Sequence, residues 1–322
     1  MSRQSTWAAA LFFLLIGFVV GAFYLWRMSG DRPPTFVSEI ALKETSGLAL
    51  KNPSSIWVDS TGYLYAVDSG ADQIIKFDPR GNVIARWGEK GSAEGKLESP
   101  FAITGDSEGF VYVTDRENDR VEKFDSTGQF QMEFGTHGNG QGEFGHPMGV
   151  AVDYLGNIFV ADVENDRIQK FDRKGKYMME WGTSGNAPGQ FHRPWGVAVD
   201  SRGLVYVCDT YNNRLQKFTN EGKTISIFGS KGTDRAEFNL PTFVEIDLYD
   251  MIYVSDTGNH RIQKFNSQGK FLWNYGSPGI GPGKFDMLYG LGLDKDAFLF
   301  VADYGAAKLY RYKLNSHGLS LI

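Results

Sequence analysis

Three series of residues recur along this chain at a constant interval of 47 positions. The first is an aspartate that closes an apolar stretch: Asp59, Asp106, Asp153, Asp200, Asp247 and Asp294. The second is an aspartate that ends the next apolar stretch: Asp68, Asp115, Asp162, Asp209, Asp256 and Asp303. The third is an aromatic residue: Phe77, Phe124, Phe171, Phe218, Phe265 and Tyr312. No insertion separates the six copies, so each copy must form the same structural unit.

Each copy has the pattern of four short strands. In the third copy, apolar or alternating stretches at 149–153, 158–162, 167–171 and 176–182 are separated by turns rich in Gly, Asp and Asn. Such stretches predict antiparallel β-structure. Four-stranded units of this length, repeated several times, are typical of a β-propeller. The sequence therefore predicts an all-β, six-bladed β-propeller of four-stranded antiparallel blades.

The stretch PWGVAVDSRGLVYVCDTYNNRLQKFTNEG, residues 194–222, resembles an NHL repeat. The Pro, the paired Asp positions, the Asn-x-Arg and the final aromatic residue recur together in its companions, and the resemblance covers residues 53–314. It implies a six-bladed propeller. It implies little about function, because one fold supports many different sites.

A propeller must join its last blade to its first. The segment FVSEIAL, residues 36–42, precedes Pro53 as outer strands precede the first strand of later copies. We expect it to supply the outer strand of blade six, pairing near residues 319–322 or replacing them, which would remove an exposed edge. The alternative is that residues 36–52 are only a linker.

The N-terminal segment differs in composition from the rest of the chain. Residues 7–26 carry no charge, and a helix of this length spans a bilayer core of about 30 Å. We therefore predict a tail at 1–6, a transmembrane signal-anchor helix at 7–26, a linker at 27–35 and the propeller at 36–322. This predicts a single-pass membrane protein with its propeller on the extracytoplasmic side. A cleaved signal peptide, giving a secreted form, is the alternative.

The overall charge limits the class of partner. The formal net charge is −5, whereas proteins that bind nucleic acid usually carry a basic face, so no nucleic-acid partner is expected. The single cysteine, Cys208, excludes an internal disulfide framework. It occupies a position that is Thr114, Ala161 or Ser255 in other copies, which favours a small core residue over a nucleophile. We expect a monomer without a cofactor.

A polar cluster, Asp-x-x-Asn-x-Arg, recurs in four copies. Catalysis needs one site, so repetition favours an architectural role, in which Asp and Asn cap a turn and Arg pairs with Asp. The structural repeat residues are Asp115, Asn118, Arg120, Asp162, Asn165, Arg167, Asp209, Asn212, Arg214, Asp256, Asn259 and Arg261.

Function is then expected where the copies differ. The turn after each second aspartate and the position after each Pro equivalent vary in chemistry, and both lie on one face, which we call the top face. Large aromatic residues at the mouth of a ring suit ligand recognition. The candidate ligand-binding residues are Arg116, Glu117, Met148, Glu164, Trp195, Tyr211, His260, Tyr289 and Tyr304. The alternative is that these loops vary without a function.

These observations favour a membrane-tethered binding or scaffold module whose top face takes a protein, peptide or glycan. The alternative is a metal-dependent lyase or hydrolase at the central channel, since an amidating lyase is among the proteins with NHL-like repeats. A metal site there would need histidines from equivalent positions, but no two of the five histidines are 47 residues or a multiple apart. Glu117 and Glu164 occupy equivalent places on adjacent blades, and paired carboxylates could bind a cation or do acid–base work. The alternative is that they are solvated turn carboxylates. We predict no catalytic residue and no metal site.

Overall fold

Six four-stranded antiparallel sheets make up the structure, a computed structural model that describes residues 32–40 and 49–315. The first strand, β1, is Thr35–Glu39. Blade 1 contains β2 to β5: Pro53–Val58, Leu64–Asp68, Gln73–Phe77 and Val83–Trp87. Blade 2 contains β6 to β9: Pro100–Gly105, Val111–Asp115, Arg120–Phe124 and Phe130–Phe134. Blade 3 contains β10 to β13: Pro147–Val152, Ile158–Asp162, Arg167–Phe171 and Tyr177–Trp181.

The remaining blades repeat this order. Blade 4 contains β14 to β17: Pro194–Val199, Val205–Asp209, Arg214–Phe218 and Thr224–Phe228. Blade 5 contains β18 to β21: Pro241–Ile246, Ile252–Asp256, Arg261–Phe265 and Phe271–Tyr275. Blade 6 contains β22 to β24: Leu288–Leu293, Phe298–Asp303 and Lys308–Lys313. Single turns of 3₁₀-helix follow the second strand of four blades, at Ser69–Ala71, Arg116–Asn118, Thr210–Asn212 and Thr257–Asn259.

The core lies between neighbouring blades. Every residue of a second strand such as Ile158–Asp162 is buried, whereas the outer strand Tyr177–Trp181 alternates half-buried and exposed residues. Outer-strand aromatic residues pack on the third strand of the next blade, as Phe134 does on Phe171 at 4.7 Å between ring centroids. Such aromatic pairs contribute about 0.5–1.5 kcal/mol beyond their buried area. The aromatic residues of the repeat therefore join blade to blade.

The ring closes through β1, which pairs with β24 as the outer strand of blade 6. Phe36 lies opposite Tyr312 and packs edge-on against it at 5.7 Å. Lys308 donates to the Glu39 carboxylate at 2.7 Å. The N-terminal segment thus supplies the closing strand, as expected, while residues 41–42 and 319–322 lie outside the described residues.

The strand directions define two faces and a channel. At the top face, each first strand begins beside the end of its second strand, as in the pair Pro53 and Asp68. At the bottom face, the first aspartate series caps the turns, and Asp153 Oδ1 accepts the backbone N–H groups of Leu155 and Asn157 at 2.9 Å. The six first strands surround a central channel.

The predicted localisation needs correction. No helix among residues 32–40 and 49–315 is long and apolar enough to cross a membrane, and this finding contradicts the prediction of a single-pass membrane protein. The predicted helix at 7–26, the tail at 1–6 and most of the linker at 27–35 lie outside the described residues.

Candidate functional site

The repeated polar cluster directs its hydrogen bonds into the protein. In blade 3, Arg167 Nε donates to Asp162 Oδ2 at 2.7 Å, and its Nη groups donate to the carbonyls of Asn139, Gly140 and Glu143 at 2.8–2.9 Å. Asn165 donates to Asp162 and to the Gly138 carbonyl at 2.9 Å. The arginine therefore fastens the loop that connects blades 2 and 3.

Equivalent contacts occur in blades 2, 4 and 5, where Arg120, Arg214 and Arg261 donate to Asp115, Asp209 and Asp256 at 2.6–2.8 Å. These aspartates are fully buried. Because the same internal hydrogen-bond network occurs in four blades, we look for functional residues outside it.

Blade 2 differs from its neighbours at one buried position below this cluster. Blades 3, 4 and 5 carry Gln169, Gln216 and Gln263, whose Nε2 donates both to the cluster aspartate and to a loop carbonyl. Blade 2 carries Glu122, and its Oε2 is buried without a hydrogen-bond partner in the described structure. Burial raises the pKa of Glu122 to about 8. A protonated carboxyl can donate where the glutamines do.

Four aromatic side chains meet across the axis beneath the top face. Phe101 of blade 2 lies 5.6 Å from both Trp195 of blade 4 and Phe243 of blade 5, and 5.7 Å from Tyr289 of blade 6. Trp195 and Tyr289 also meet edge-on at 5.8 Å. We call Phe101, Trp195, Phe243 and Tyr289 the aromatic floor. Residues from opposite blades can touch only across the axis, so the floor closes the channel at its top end.

Five charged or titratable residues lie at the top face of blades 2 to 4. His146 Nδ1 is 3.1 Å from Glu164 Oε1, and His146 Nε2 is 3.7 Å from Glu117 Oε2. Arg116 pairs with Glu117 at 2.7 Å, and Arg193 approaches Glu164 at 3.9 Å. We call Arg116, Glu117, His146, Glu164 and Arg193 the charged rim. Its imidazole lies between two carboxylates, an arrangement that can move a proton.

The opposite side of the top face has glycine in place of the rim glutamates. Positions equivalent to Glu117 and Glu164 are Gly258, Gly305 and Gly70 in blades 5, 6 and 1. Leu240 and Met287, equivalent to His146, are each 39% exposed. The top face therefore combines an aromatic floor, the charged rim and an opposite side where exposed Leu240 and Met287 lie among polar residues such as Asn52, Asn239 and Asp286.

Two further tyrosines lie near the aromatic floor. Tyr304 lies 4.9 Å from Tyr289, and Tyr211, which is 44% exposed, lies 5.2 Å from the His192 ring. Burial and then the neighbouring Tyr304 raise the pKa of Tyr289 to about 12, against the lowering effect of Arg116. Arg116 of blade 2 and Tyr304 of blade 6 therefore both affect the pKa of Tyr289.

Other residues singled out in the sequence have internal contacts. Met148 is buried in the same apolar cluster as Phe101, beside the floor and away from the surface. His260 Nδ1 lies 2.9 Å from the Asp286 carbonyl oxygen, a contact that joins blade 5 to the loop entering blade 6. Cys208 is buried, and burial raises the pKa of its thiol well above the usual value.

Sequence reasoning did not select three residues that the fold places in the aromatic floor, the charged rim and the central channel. Phe243 occupies a position that is Gly149, Gly196 or Gly290 in other blades, and His146 lies between the two glutamates that sequence comparison had paired. Glu245 lines the central channel. The signal was present for both: Phe243 replaces the small residues of the other blades, and Glu245 is the one ionisable residue among the six equivalent positions.

The geometry defines a six-bladed β-propeller with a differentiated top face. Two segments, residues 144–171 and 191–218, match the NHL repeat family, so the chain contains NHL repeats. No curated protein sequence matches the chain significantly.

Solved structures share the fold. A streptogramin B lyase superposes with a TM-score of 0.61 at 16% identity, covering 87% of this chain and 98% of that one. A gluconolactonase from Xanthomonas campestris gives 0.61 at 13% identity, covering 88% and 95%. A protein of unknown function from Bacteroides thetaiotaomicron gives 0.66 at 14% identity, covering 89% and 73%. At these identities the similarity establishes the fold alone.

Proposed function

We propose that this protein is a binding module whose top face takes a peptide segment of a protein ligand. The observation that carries the proposal is the aromatic floor, in which the half-buried Trp195 and Tyr289 meet beside the charged rim. Aromatic side chains that combine apolar area with a polar tip are enriched at binding sites.

The mixture of charges favours a peptide over a glycan. The charged rim contains two arginines, two glutamates and a histidine, and a peptide offers complementary charges of both signs. Leu240 and Met287, each 39% exposed, suit apolar side chains of the same peptide. A neutral glycan has no charges to pair with those of the charged rim.

Selection from a displayed peptide library on the full chain tests this proposal. We expect selected peptides to bind the wild-type protein, and Trp195→Ala and Tyr211→Ala to weaken them at least tenfold in a titration. Tyr154→Ala is the matched control, because Tyr154 is 73% exposed in a bottom turn. Peptides that lose affinity with Tyr154→Ala and keep it with Trp195→Ala would place binding on the wrong face.

A second candidate is acid–base catalysis at the charged rim. The observation that favours it is His146 between Glu117 and Glu164. Two propellers of similar fold are described as a lyase and a gluconolactonase, which shows that enzymes use this fold. In the described part of the chain, no three His, Cys, Asp or Glu side chains are arranged to hold a metal ion, so a metal-dependent form of this candidate gains no support there.

Hydrolysis of a panel of lactones and esters would separate the two candidates. Turnover that falls at least a hundredfold in His146→Gln, with Tyr154→Ala unchanged, would favour catalysis. Peptide binding without turnover would favour the binding module.

A further inference from the structure

The central channel is closed at one end and open at the other. Below the aromatic floor it holds about 190 Å³ of space, several times the share of one water molecule, about 30 Å³. It shares Trp57, Gly105 and Ile246 with a wider cavity of about 840 Å³ among the bottom turns, which we call the bottom funnel. A ligand therefore reaches the channel from the bottom face.

One carboxyl lines this channel. The equivalent positions of the six first strands are Trp57, Thr104, Ala151, Ala198, Glu245 and Gly292, and of these only Glu245 carries an ionisable side chain. Its carboxyl accepts a hydrogen bond from the Ile246 amide, and no cation in the described part of the chain forms an ion pair with it. Two other blades have alanine at this position. A carboxyl here lowers the free energy of unfolding unless a cation or a hydrogen-bond donor pairs with it.

Burial raises the pKa of Glu245 to about 8, against the lowering effect of the Ile246 amide. Burial in the channel therefore favours the protonated form of this carboxyl. A cation beside it would restore the charged form, because a nearby opposite charge favours ionisation.

The surroundings favour a monovalent organic cation. A divalent metal prefers several oxygen ligands with more than one negative charge, and this level of the channel provides one carboxylate. Trp57 lines the channel in blade 1, where its ring packs against Tyr65 at 5.1 Å between ring centroids.

The bottom funnel would attract such a cation. It is lined by five carboxylates, Asp59, Asp106, Glu108, Asp247 and Asp294. Two lysines, Lys76 and Lys295, also line it, and Lys76 donates to the Ser126 carbonyl. An excess of negative charge at the mouth of a cleft raises the local concentration of cations.

We propose that the central channel binds a primary alkylammonium group, which enters through the bottom funnel and pairs with Glu245. This site is separate from the top face and does not depend on the function proposed for it. On binding near pH 7, the ammonium keeps its protons, and the Glu245 carboxyl releases one proton to solvent as it ionises. The two charges then neutralise each other in the channel.

Calorimetric titration of the full chain with n-butylammonium at pH 7 tests the proposal. We expect saturable 1:1 binding, and release of a proton that makes the measured heat depend on the ionisation enthalpy of the buffer. A capped lysine amide forms a second arm: tighter binding than n-butylammonium indicates a lysine side chain as the natural ligand, and weaker binding indicates a free amine. Both results support the site.

Glu245→Gln keeps the shape and removes the charge, so we expect at least tenfold weaker binding and no proton release. Glu245→Ala, the residue of blades 3 and 4, repeats this test if the glutamine variant fails to fold. Met178→Ala, on the exposed side of an outer strand, should leave amine binding unchanged. The proposal is overturned by no saturable binding, by equal binding of n-butanol, or by binding that survives both Glu245 variants.

Discussion

Replacing Glu122 with glutamine should stabilise the protein, and more so as the pH rises. Glu122 is fully buried, its Oε1 accepts from the Gly95 amide at 3.1 Å, and Arg120 Nη2 lies 3.0 Å away. Its Oε2 is without a partner. A glutamine there would donate from Nε2, as Gln169 does to Asp162 Oδ2 at 3.0 Å.

The sign of the pH dependence follows from the raised pKa. Burial lifts the pKa of Glu122 from 4.5 to about 8, with Arg120 lowering it and Asp115 raising it. Below pH 4.5 the carboxyl is protonated in the folded and unfolded chains alike. Between pH 4.5 and about pH 8 this carboxyl is ionised in the unfolded chain and protonated in the folded chain, so the free energy of unfolding falls as the pH rises. The full loss is on the order of 5 kcal/mol as an upper bound.

The assay is urea unfolding of the full chain from pH 5 to pH 9. We expect Glu122→Gln to resemble the wild type near pH 5 and to exceed it by several kcal/mol at pH 9. Each kcal/mol corresponds to about 2–4 °C in Tm for a domain of this size class. Gln169→Glu in blade 3 is the reciprocal control and should introduce a loss of stability at high pH. Parallel pH profiles for wild type and Glu122→Gln would refute the reasoning.

Three other predictions concern the ring. Arg167→Ala leaves the buried Asp162 without its cation and should cost about 3–5 kcal/mol of unfolding free energy in urea, whereas Arg173→Ala, at an exposed pair, should cost less than about 1 kcal/mol. Phe36→Ala removes a ring that packs on Tyr310 and Tyr312 and should cost about 1–3 kcal/mol, while Val37→Ala on the exposed side of the same strand should change little. Cys208 should react with a thiol reagent only as fast as the chain unfolds, because its thiol is buried and its pKa is raised; rapid labelling of the native protein would contradict this.

The fold was predictable because the repeat marks every strand. The predicted stretches 158–162 and 167–171 are strands with the same bounds. The first strand of blade 3 was predicted at 149–153 and lies at Pro147–Val152, where an irregular register between Pro147 and Val150 interrupts the apolar pattern. Period-two alternation cannot locate such a shift.

The candidate site was predictable only in part. Variation between copies indicated Trp195 and Tyr289, which meet in the aromatic floor. It did not indicate that His146 lies between two glutamates, because Glu117 comes from blade 2 and Glu164 from blade 3, and only the folded ring brings both to one histidine.

The closing strand has a consequence for how the protein is made. Glu39 and Lys308, which join at the seam, are 269 residues apart in the chain. At a synthesis rate of roughly 5–20 residues per second, β1 leaves the ribosome about 15–50 s before β24 exists. β1 is thus an unpaired strand during most of translation, and the five other blades can form before β24 is available to pair with it. Ring closure is then the folding step with the greatest separation along the sequence. It is also the step most open to mispairing between the strands of different chains.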